Sequence, residues 1–450
     1  MSIPITPLAG LATYAVAAKP GFGVEDNVRR FLRYAWIEKK AMQTALYWLA
    51  PTPEWEVKEA VGLHASLDAE HAGDIRKRVG EMRNPVPPLE VSPDAKIDTL
   101  FNEILAAKTT LEKIIGLYGV LKPALLATYQ AHLAALNPVF DHPTYRMLKH
   151  MILDEEETVA WGLQAVDALT QTAEAKAQAE TWSNRINLFL AAAGGIGGDG
   201  PAFDDSTLPE PAPSFVPDYF PQRDERFVMQ WNFVNPQRQV SLNEAVDLDE
   251  RLIALMCRRI TEMDVPEYMS RIIAEAQDEP WDYYVDMTRH LWDEVRHAMM
   301  GTIYFESRSV DWKRLIAIHP GMSIRLGTLG IKDAHLVLFA IEQNLMPAAT
   351  GKKLEYMISK NAKDELASTI QDYDWADEVL HVHIGRKWLL PKIALNATQA
   401  KEKGWQIRAE TVHALDEYEG RGEQRNWWPD FAKAVLGRET QMETFDVTRL

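Results

Sequence analysis

The chain has 450 residues, 46% of them hydrophobic, which is enough for two domains with separate cores. Its formal net charge of −17 argues against a nucleic-acid partner, because binding to phosphates needs Lys and Arg. The single cysteine, Cys257, excludes a disulfide framework and suits a reducing compartment. No basic residue precedes Lys19 and no run of 18 apolar residues occurs, so we expect a cytoplasmic protein with no membrane partner.

Apolar residues recur with helical spacing in both halves of the chain, and strand signals are nearly absent. The predicted helices are 24–50, 53–81, 96–137 and 143–182 in the first half, and 241–276, 279–308, 332–360 and 363–390 in the second. We predict an all-α protein of two tandem four-helix bundles, residues 20–185 and 223–395. A Gly- and Pro-rich linker at 191–222 joins them, and a tail at 396–450 packs on one bundle.

Two ExxH motifs stand in the second half, each with an Asp before its Glu: Asp293–His297 reads DEVRH and Asp377–His381 reads DEVLH. Residues i and i+3 of a helix project from one face, so each motif presents a carboxylate and an imidazole together. A third ExxH, at Glu410 and His413, lacks the preceding Asp, and we take it as coincidence.

A lone Glu precedes each motif on an apolar helix: Glu262 lies 32 residues before Glu294, and Glu342 lies 36 residues before Glu378. These spacings fit two antiparallel helices joined by a loop, which would place the lone Glu and the motif at the same level of the bundle. Pro266 and Pro347, shortly after the lone Glu residues, should kink or widen their helices.

The resulting set of four carboxylates and two imidazoles matches the ligands of a carboxylate-bridged dimetal site in a helical bundle. The predicted ligands are Glu262, Glu294, His297, Glu342, Glu378 and His381. Carboxylates offset the charge of two divalent ions, and imidazole favours iron, manganese or zinc. We expect two iron ions, with a manganese–iron pair as the alternative. By position, Glu262 and Glu378 are expected to be terminal ligands, and Glu294 and Glu342 bridges.

With these residues the chain resembles the ferritin-like superfamily. Its DEVRH motif is similar to that of multicomponent hydrocarbon monooxygenases and acyl carrier protein desaturases. The longer sequence DEVLHVHIGRKW, residues 377–388, resembles an uncharacterised ferritin-like family related to a tRNA hydroxylase.

The resemblance implies that Asp293 and Asp377 accept hydrogen bonds from the ligand histidines and that Arg296 pairs with one of these acids. Leu380 stands where the second motif would have its Arg. His290 lies four residues before Glu294, on the same face, and we expect it to make a structural hydrogen bond rather than to bind metal.

The first half of the chain repeats landmarks of the second. Glu38, Tyr118, Pro123 and Asp154 plus 224 give Glu262, Glu342, Pro347 and Glu378, while Trp55, His64, Asp68 and His71 plus 226 give Trp281, His290, Glu294 and His297. This pattern predicts an internal duplication. The first copy has an altered ligand set, and its candidate site comprises Glu38, Asp68, His71, Tyr118, Asp154 and Glu157. It is either an altered metal site or a degenerate bundle kept for packing.

The ligand set and the resemblance together imply an oxidoreductase with no catalytic residues beyond its metal ligands. We expect it to use O2 as co-substrate for hydroxylation, desaturation or N-oxygenation of a small organic molecule. A ferroxidase or peroxide-detoxifying protein, and a non-enzymatic metal-binding structural protein, are the alternatives. The sequence indicates no electron donor, and homo-oligomerisation is left open.

Overall fold

The computed structural model describes residues 5–230, 236–418, 420–422 and 425–445. This part of the chain is predominantly helical, which confirms the all-α class. Two short strands, β1 (Val228–Met229) and β2 (Ala317–Ile318), pair in parallel, with Val228 opposite Ala317. Residues 231–235 of the predicted second bundle and 419, 423, 424 and 446–450 of the predicted tail lie outside the described residues.

The helices of the first half are α1 (Tyr14–Ala17), α2 (Val24–Leu49), α3 (Trp55–Glu81), α4 (Ala95–Leu105), α5 (Thr110–Ile114), α6 (Lys122–Ala135), α7 (His142–Leu169) and α8 (Ala173–Ala192), with a π-helical segment, Ile115–Leu121, between α5 and α6. Those of the second half are α9 (Pro236–Leu242), α10 (Leu248–Thr261), α11 (Asp264–Ala274), α12 (Trp281–Glu306), α13 (Trp312–Leu315), α14 (Gly321–Gly327), α15 (Ile331–Asn344), α16 (Lys352–Asn361), α17 (Glu365–Trp388), α18 (Ala397–Glu410) and α19 (Trp428–Leu436). Short 3-10 helices occur at Leu8–Gly10, Asp205–Thr207, Leu390–Lys392 and Thr411–Tyr418.

The chain forms two compact units, and their limits differ from the predicted bundles. Unit 1 comprises residues 1–44 and 67–217, and unit 2 comprises residues 45–66 and 218–450. The boundary between the units, at residues 217 and 218, falls within the predicted linker, and residues 191–217 belong to unit 1. Arg33 of unit 1 donates hydrogen bonds to the carbonyls of Ile196 (2.7 Å) and Gly195 (2.9 Å), so the start of that segment is fixed to its own unit.

Helix ends explain where the predicted long helices are divided. The segment predicted as one helix at 96–137 begins after Asp94, whose carboxylate caps Lys96 N at 2.8 Å, and a second cap at Thr109 starts α5. The segment predicted at 143–182 is interrupted before Ala173, where Thr172 caps Ala175 N at 3.1 Å. Polar caps compete with helical continuation, so periodicity alone misses such breaks.

Both prolines of the second half mark interruptions, as the sequence predicts. Helix α10 ends at Thr261, and α11 begins at Asp264, within whose first turn Pro266 lies. Pro347 lies in the break between α15 and α16, where Gly351 N donates to the Pro347 carbonyl at 2.8 Å. These breaks turn the backbone next to Glu262 and Glu342 and leave Lys352 at the start of its own helix.

The described part of the C-terminal tail packs on helices of unit 2. Helix α18 lies against α15, and α19 lies against α10. The indole of the fully buried Trp428 donates to Glu250 Oε1 at 3.2 Å, and Thr440 Oγ1 donates to the same oxygen. In the described ranges no helix combines the length and the apolarity that crossing a lipid bilayer would require.

Candidate metal centre

The six residues predicted as ligands come together inside unit 2. They are Glu262 at the end of α10, Glu294 and His297 in α12, Glu342 in α15, and Glu378 and His381 in α17. All are buried except Glu262, whose side chain is 14% exposed. The i, i+3 spacing places the two residues of each motif on one helix face, and helix packing directs both faces inward.

One group of potential ligands, which we call subsite A, comprises His290, Glu294, Glu342 and His381. One nitrogen or oxygen from each lies within 4.8 Å of the others. His381 Nδ1 is 3.2 Å from Glu294 Oε1, and His290 Nε2 is 3.6 Å from Glu342 Oε1. Neither of these two nitrogens forms a hydrogen bond with a described residue, so both are open to a cation placed between the four side chains.

The position of His290 corrects the sequence prediction of a structural hydrogen bond. Neither of its ring nitrogens has a hydrogen-bond partner, and the ring stacks on that of His381 with centroids 3.7 Å apart. Burial, and then the neighbouring His381, lower the pKa of His290 to about 4. It is therefore a neutral imidazole facing two carboxylates, which is the form that binds metals.

Two further groups share His297: Glu262, Glu294 and His297 form one, and His297, Asp374 and Glu378 form the other. We call the five residues together subsite B. His297 Nδ1 lies at its centre, 3.4 Å from Asp374 Oδ1, 3.5 Å from Glu294 Oε2 and 3.8 Å from Glu262 Oε2. Asp374 was not among the predicted residues. It lies four residues before Glu378, as His290 lies four residues before Glu294, so each helix carries ligand-type residues at i−4, i and i+3.

Two carboxylates face both subsites. The two oxygens of Glu294 lie near His381 (3.2 Å) and His297 (3.5 Å), and those of Glu378 lie 3.4 Å from His381 and 4.0 Å from His297. Glu342 faces only the histidines of subsite A. The geometry therefore puts Glu378, and not Glu342, in the second central position, which reverses the assignment made from sequence spacing.

Two cationic side chains, which the sequence did not indicate, lie against subsite B. Lys352 Nζ is 2.8 Å from both Asp374 Oδ1 and Glu378 Oε1 and 3.6 Å from Glu262 Oε1. Arg259 forms ion pairs with Asp374 and, at 2.7 Å, with Glu262. Both cations are fully buried. Subsite B is thus partly neutralised by the protein, whereas no Lys or Arg side chain of the described ranges forms an ion pair with Glu342 or Glu294 in subsite A.

The acids that precede the two Glu residues meet the histidines crosswise. Asp377, from the α17 motif, is 3.4 Å from His297 Nε2, and Asp293, from the α12 motif, is 3.6 Å from His381 Nε2. Arg296 donates to Asp293 and, at 3.1 Å, to Asp377. One arginine therefore serves both acids, so the second motif can carry Leu380 in the corresponding place.

Several potential ligand atoms of the centre are buried and form no hydrogen bond with any residue that the structure describes. They are Glu262 Oε2, His290 Nδ1 and Nε2, His297 Nδ1, Glu342 Oε2, Asp374 Oδ2, Glu378 Oε2, and His381 Nδ1 and Nε2. Burial, and then the charges of Glu378 and Glu294, raise the pKa of Glu342 well above its ordinary value. Leaving so many buried polar atoms unpaired costs about 1–3 kcal/mol for each, unless a ligand satisfies them.

Unit 1 has a related cluster of Glu38, Asp68, His71 and Glu155, all buried and with one atom each within 4.8 Å of the others. Its centre contains a lysine. Lys122 Nζ lies 2.5 Å from Asp68 Oδ1, 2.6 Å from Glu155 Oε1 and 3.7 Å from Glu38 Oε2. An ammonium group thus lies among the carboxylates that a metal ion would need.

Three predicted members of the unit 1 site are placed differently. Glu157 is exposed, and Asp154 is 37% exposed and contacts His71 Nε2 from outside at 3.2 Å. Asp154 thus occupies the position relative to His71 that Asp377 occupies relative to His297, and Glu155 corresponds to Glu378. The offset between the copies at this point is 223, not 224. Tyr118 is fully buried in the π-helical segment and packs edge-on against Trp161, with ring centroids 5.1 Å apart.

Comparisons of the chain with protein-family models, with curated proteins and with solved structures gave no match.

Proposed function

We propose that unit 2 is the catalytic part of a dinuclear iron oxidoreductase that uses O2 to oxidise a small organic molecule by hydroxylation, desaturation or N-oxygenation. One observation carries the proposal: buried carboxylate and imidazole atoms converge without hydrogen bonds beside a cavity. The proposal includes a ferritin-like architecture for both units. It is supported by the recurrence of an acid–histidine cluster, with an outer Asp against a His, in unit 1 and unit 2.

The charges of the centre fit two divalent ions. Five carboxylates, those of Glu262, Glu294, Glu342, Asp374 and Glu378, face two buried cations, Lys352 and Arg259, so three negative charges are left over when all are ionised. Two divalent ions bring four positive charges, which would offset that remainder. Mixed imidazole and carboxylate donors favour iron or manganese over magnesium and calcium.

The protein side chains would hold and orient the bound ions. Glu294 and Glu378 face both subsites. Asp377 fixes the tautomer of His297 by accepting from its Nε2, so that Nδ1 is left for the metal, and Asp293 lies 3.6 Å from His381 Nε2, where it would favour the same tautomer. Ferrous ions bound there would supply the electrons that reduce O2. The buried helical surroundings limit the access of bulk water to the oxidised centre.

The cavity favours substrate oxidation over the two alternatives. It has a volume of ≈ 1190 Å³, and Glu262, Glu294, Glu342 and Glu378 form part of its wall. A ferroxidase needs only a narrow path for iron, and a structural metal site needs a closed coordination shell. Pockets that bind organic molecules typically measure about 300–1,000 Å³, so the space is large enough for one.

The test is anaerobic loading of the full chain with Fe(II), followed by exposure to O2. We expect about two iron ions per chain, O2 consumption, and a transient visible absorption band. The variant His381→Ala should lose about one iron and the absorption band. His383→Ala is the matched control, because His383 is exposed on the opposite side of the same helix. Full iron loading in His381→Ala, or loaded protein that consumes no O2, would contradict the proposal.

A further inference from the structure

The cavity beside the candidate metal centre contains a group of arginines. Arg238 of α9, Arg325 of α14 and Arg408 of α18 all line it, together with the carboxylates of the centre. Arg238 is exposed, Arg408 is half-buried and Arg325 is only 4% exposed. Two of the three thus hold a positive charge largely inside unit 2, although the chain as a whole carries a net charge of −17.

These three arginines form no ion pair with any carboxylate of the described ranges. Arg325 donates to Thr411 Oγ1 at 3.2 Å and to the Arg408 carbonyl, both neutral acceptors, and Arg408 Nε is buried without a hydrogen bond. Arg258, which lines the same cavity, differs from them because it pairs with Glu355 at 2.5 Å.

Asp264, whose negative charge acts on Arg325, is already engaged in other hydrogen bonds. Asp264 accepts from Met322 N at 2.8 Å, from Ser323 N at 2.9 Å and from the Ser323 hydroxyl. Burial, and then the positive charges of Arg325 and Arg238, lower the pKa of Arg408 to about 10. Three mutually repelling guanidinium groups that form no ion pair with a described carboxylate cost stability, and a bound anion would offset that cost.

Apolar residues that line the cavity lie close in sequence to two carboxylates of the centre. Val265 lies three residues after Glu262, Ile341 directly precedes Glu342, and both line the cavity. Leu345 and Tyr268 extend this surface. A molecule bound in the cavity would therefore contact apolar side chains beside the metal centre and positive charge beside the arginines.

We propose that the substrate is an amphiphilic organic anion. Its carboxylate or phosphate headgroup is bound by Arg238, Arg325 and Arg408, and its apolar part extends towards Glu262 and Glu342. Planar guanidinium groups bind either headgroup with paired hydrogen bonds. This inference rests on the proposed function for what happens to the bound molecule, whereas the anion site itself is defined by the arginines.

The test measures binding of decanoate, decyl phosphate and 1-decanol to the full chain by calorimetry, with and without bound iron under anaerobic conditions. We expect at least one of the two anions to bind about tenfold or more tightly than decanol, and the stronger of the two identifies the headgroup. Arg408→Gln and Arg238→Gln should each weaken its binding about tenfold. Lys403→Gln is the control, because it removes the same charge from an exposed position of α18.

The outcomes separate the two proposals. Equal affinity for decanol and both anions, or anion binding that both arginine variants leave unchanged, would overturn the inference. Arg238 is exposed, so Arg238→Gln keeps the test decisive if Arg408→Gln does not fold. A chain that loads iron and consumes O2 but binds neither anion refutes the inference alone. A chain that binds an anion through the arginines but takes up no iron refutes the proposed function and keeps the anion site.

Discussion

Lys122 Nζ lies 2.6 Å from Glu155 Oε1, in the middle of the unit 1 cluster, where it also contacts Asp68 at 2.5 Å. In unit 2 the lysine lies to one side: Lys352 contacts subsite B, while no Lys or Arg among the described residues forms an ion pair with Glu294 or Glu342 in subsite A. The two clusters of acids and histidines thus differ in where the protein places a lysine: at the centre of the cluster in unit 1, and beside subsite B in unit 2.

Replacing Lys122 with Met should destabilise unit 1 and leave its buried carboxylates able to bind an added cation. Removing one partner of a buried ion pair costs about 3–5 kcal/mol, because the remaining charges are left buried and uncompensated. We expect a lower thermal unfolding temperature, which added Zn(II) partly restores in the variant. Calorimetric scans with and without zinc measure both effects.

Lys77→Met, at an exposed position on the helix of His71, is the control and should change neither quantity. If Lys122→Met kept the stability of the unsubstituted chain, Lys122 would not be the counter-charge of the cluster. If zinc stabilised the unsubstituted chain through the unit 1 residues to the same extent, Lys122 would not exclude the metal.

Lys352 should make the two subsites of unit 2 unequal. Its ammonium group is 2.8 Å from Glu378 and Asp374, so a divalent ion in subsite B must approach a fixed positive charge, whereas no described Lys or Arg pairs with Glu294 or Glu342 of subsite A. Titration of metal-free protein with Mn(II), followed by electron paramagnetic resonance, should show one tight and one weaker binding step. Lys352→Met should strengthen the weaker step by about tenfold or more.

The neighbouring Lys353 provides the control for this experiment. It is exposed, and Lys353→Met removes the same charge from the next position of α16. Two equal binding steps in the unsubstituted chain, or a Lys352→Met variant in which the weaker step is unchanged, would show that Lys352 does not compete with the metal.

Asp293 and Asp377 should each affect the metal affinity of a different subsite. Asp377 contacts His297, in subsite B, and Asp293 contacts His381, in subsite A. Replacing such an acid typically lowers metal affinity about 10–100-fold, because the imidazole loses its orientation and basicity. Asp377→Asn should therefore weaken the step assigned to subsite B, and Asp293→Asn the step assigned to subsite A, in the same Mn(II) titration.

Asp372→Asn is the matched control, since Asp372 is exposed on α17, five residues before Asp377. A crosswise arrangement has a distinctive signature: each substitution affects the histidine of the other motif. Identical effects of Asp377→Asn and Asp293→Asn on both steps would contradict it.

The site residues that could be predicted from the sequence are those related by spacing within a single helix. The i, i+3 spacing alone was enough to identify the ligand motifs of α12 and α17. Position i−4 lies on the same helix face, and considering it would have identified His290 and Asp374 as potential ligands. Lys352 and Lys122 could not be found this way. Each reaches its cluster from a separate helix, and only tertiary packing determines which acids a long, flexible side chain meets.

Matching the two halves of the chain at an offset of 224 selected Asp154 instead of the buried Glu155, an error of one residue. Adjacent residues on a helix are rotated by about 100°, so an alignment offset wrong by one moves the chosen side chain from the buried face to the solvent face. The offset of 224 fits Glu38 and Tyr118, but the connections between helices differ in length, and at α7 the offset is 223. Local burial, and not the repeat alone, identifies the correct residue.

The stability of unit 1 should fall as the pH is lowered through the titration of His132. This histidine is 2% exposed, and its Nε2 donates to Asn27 Oδ1 at 2.8 Å, while Asn27 in turn donates to Asp141. Burial, and then the nearby positive charge of Arg30, lower the pKa of His132 to about 4. The unfolded chain binds a proton near the ordinary pKa of about 6.5.

The folded state therefore keeps His132 neutral while the unfolded state takes up a proton, so the contribution of this residue is fully present above about pH 6.5. It is lost progressively down to about pH 4 and amounts to about 3 kcal/mol in total. His132→Gln retains a donor for Asn27 but cannot be protonated. Urea unfolding midpoints at about pH 7 and about pH 4.5 should differ less in this variant than in the unsubstituted chain, whereas exposed His150→Gln should leave the difference unchanged. A stability loss in His132→Gln that is the same at both pH values would mean that His132 contributes through packing and hydrogen bonding and not through its proton.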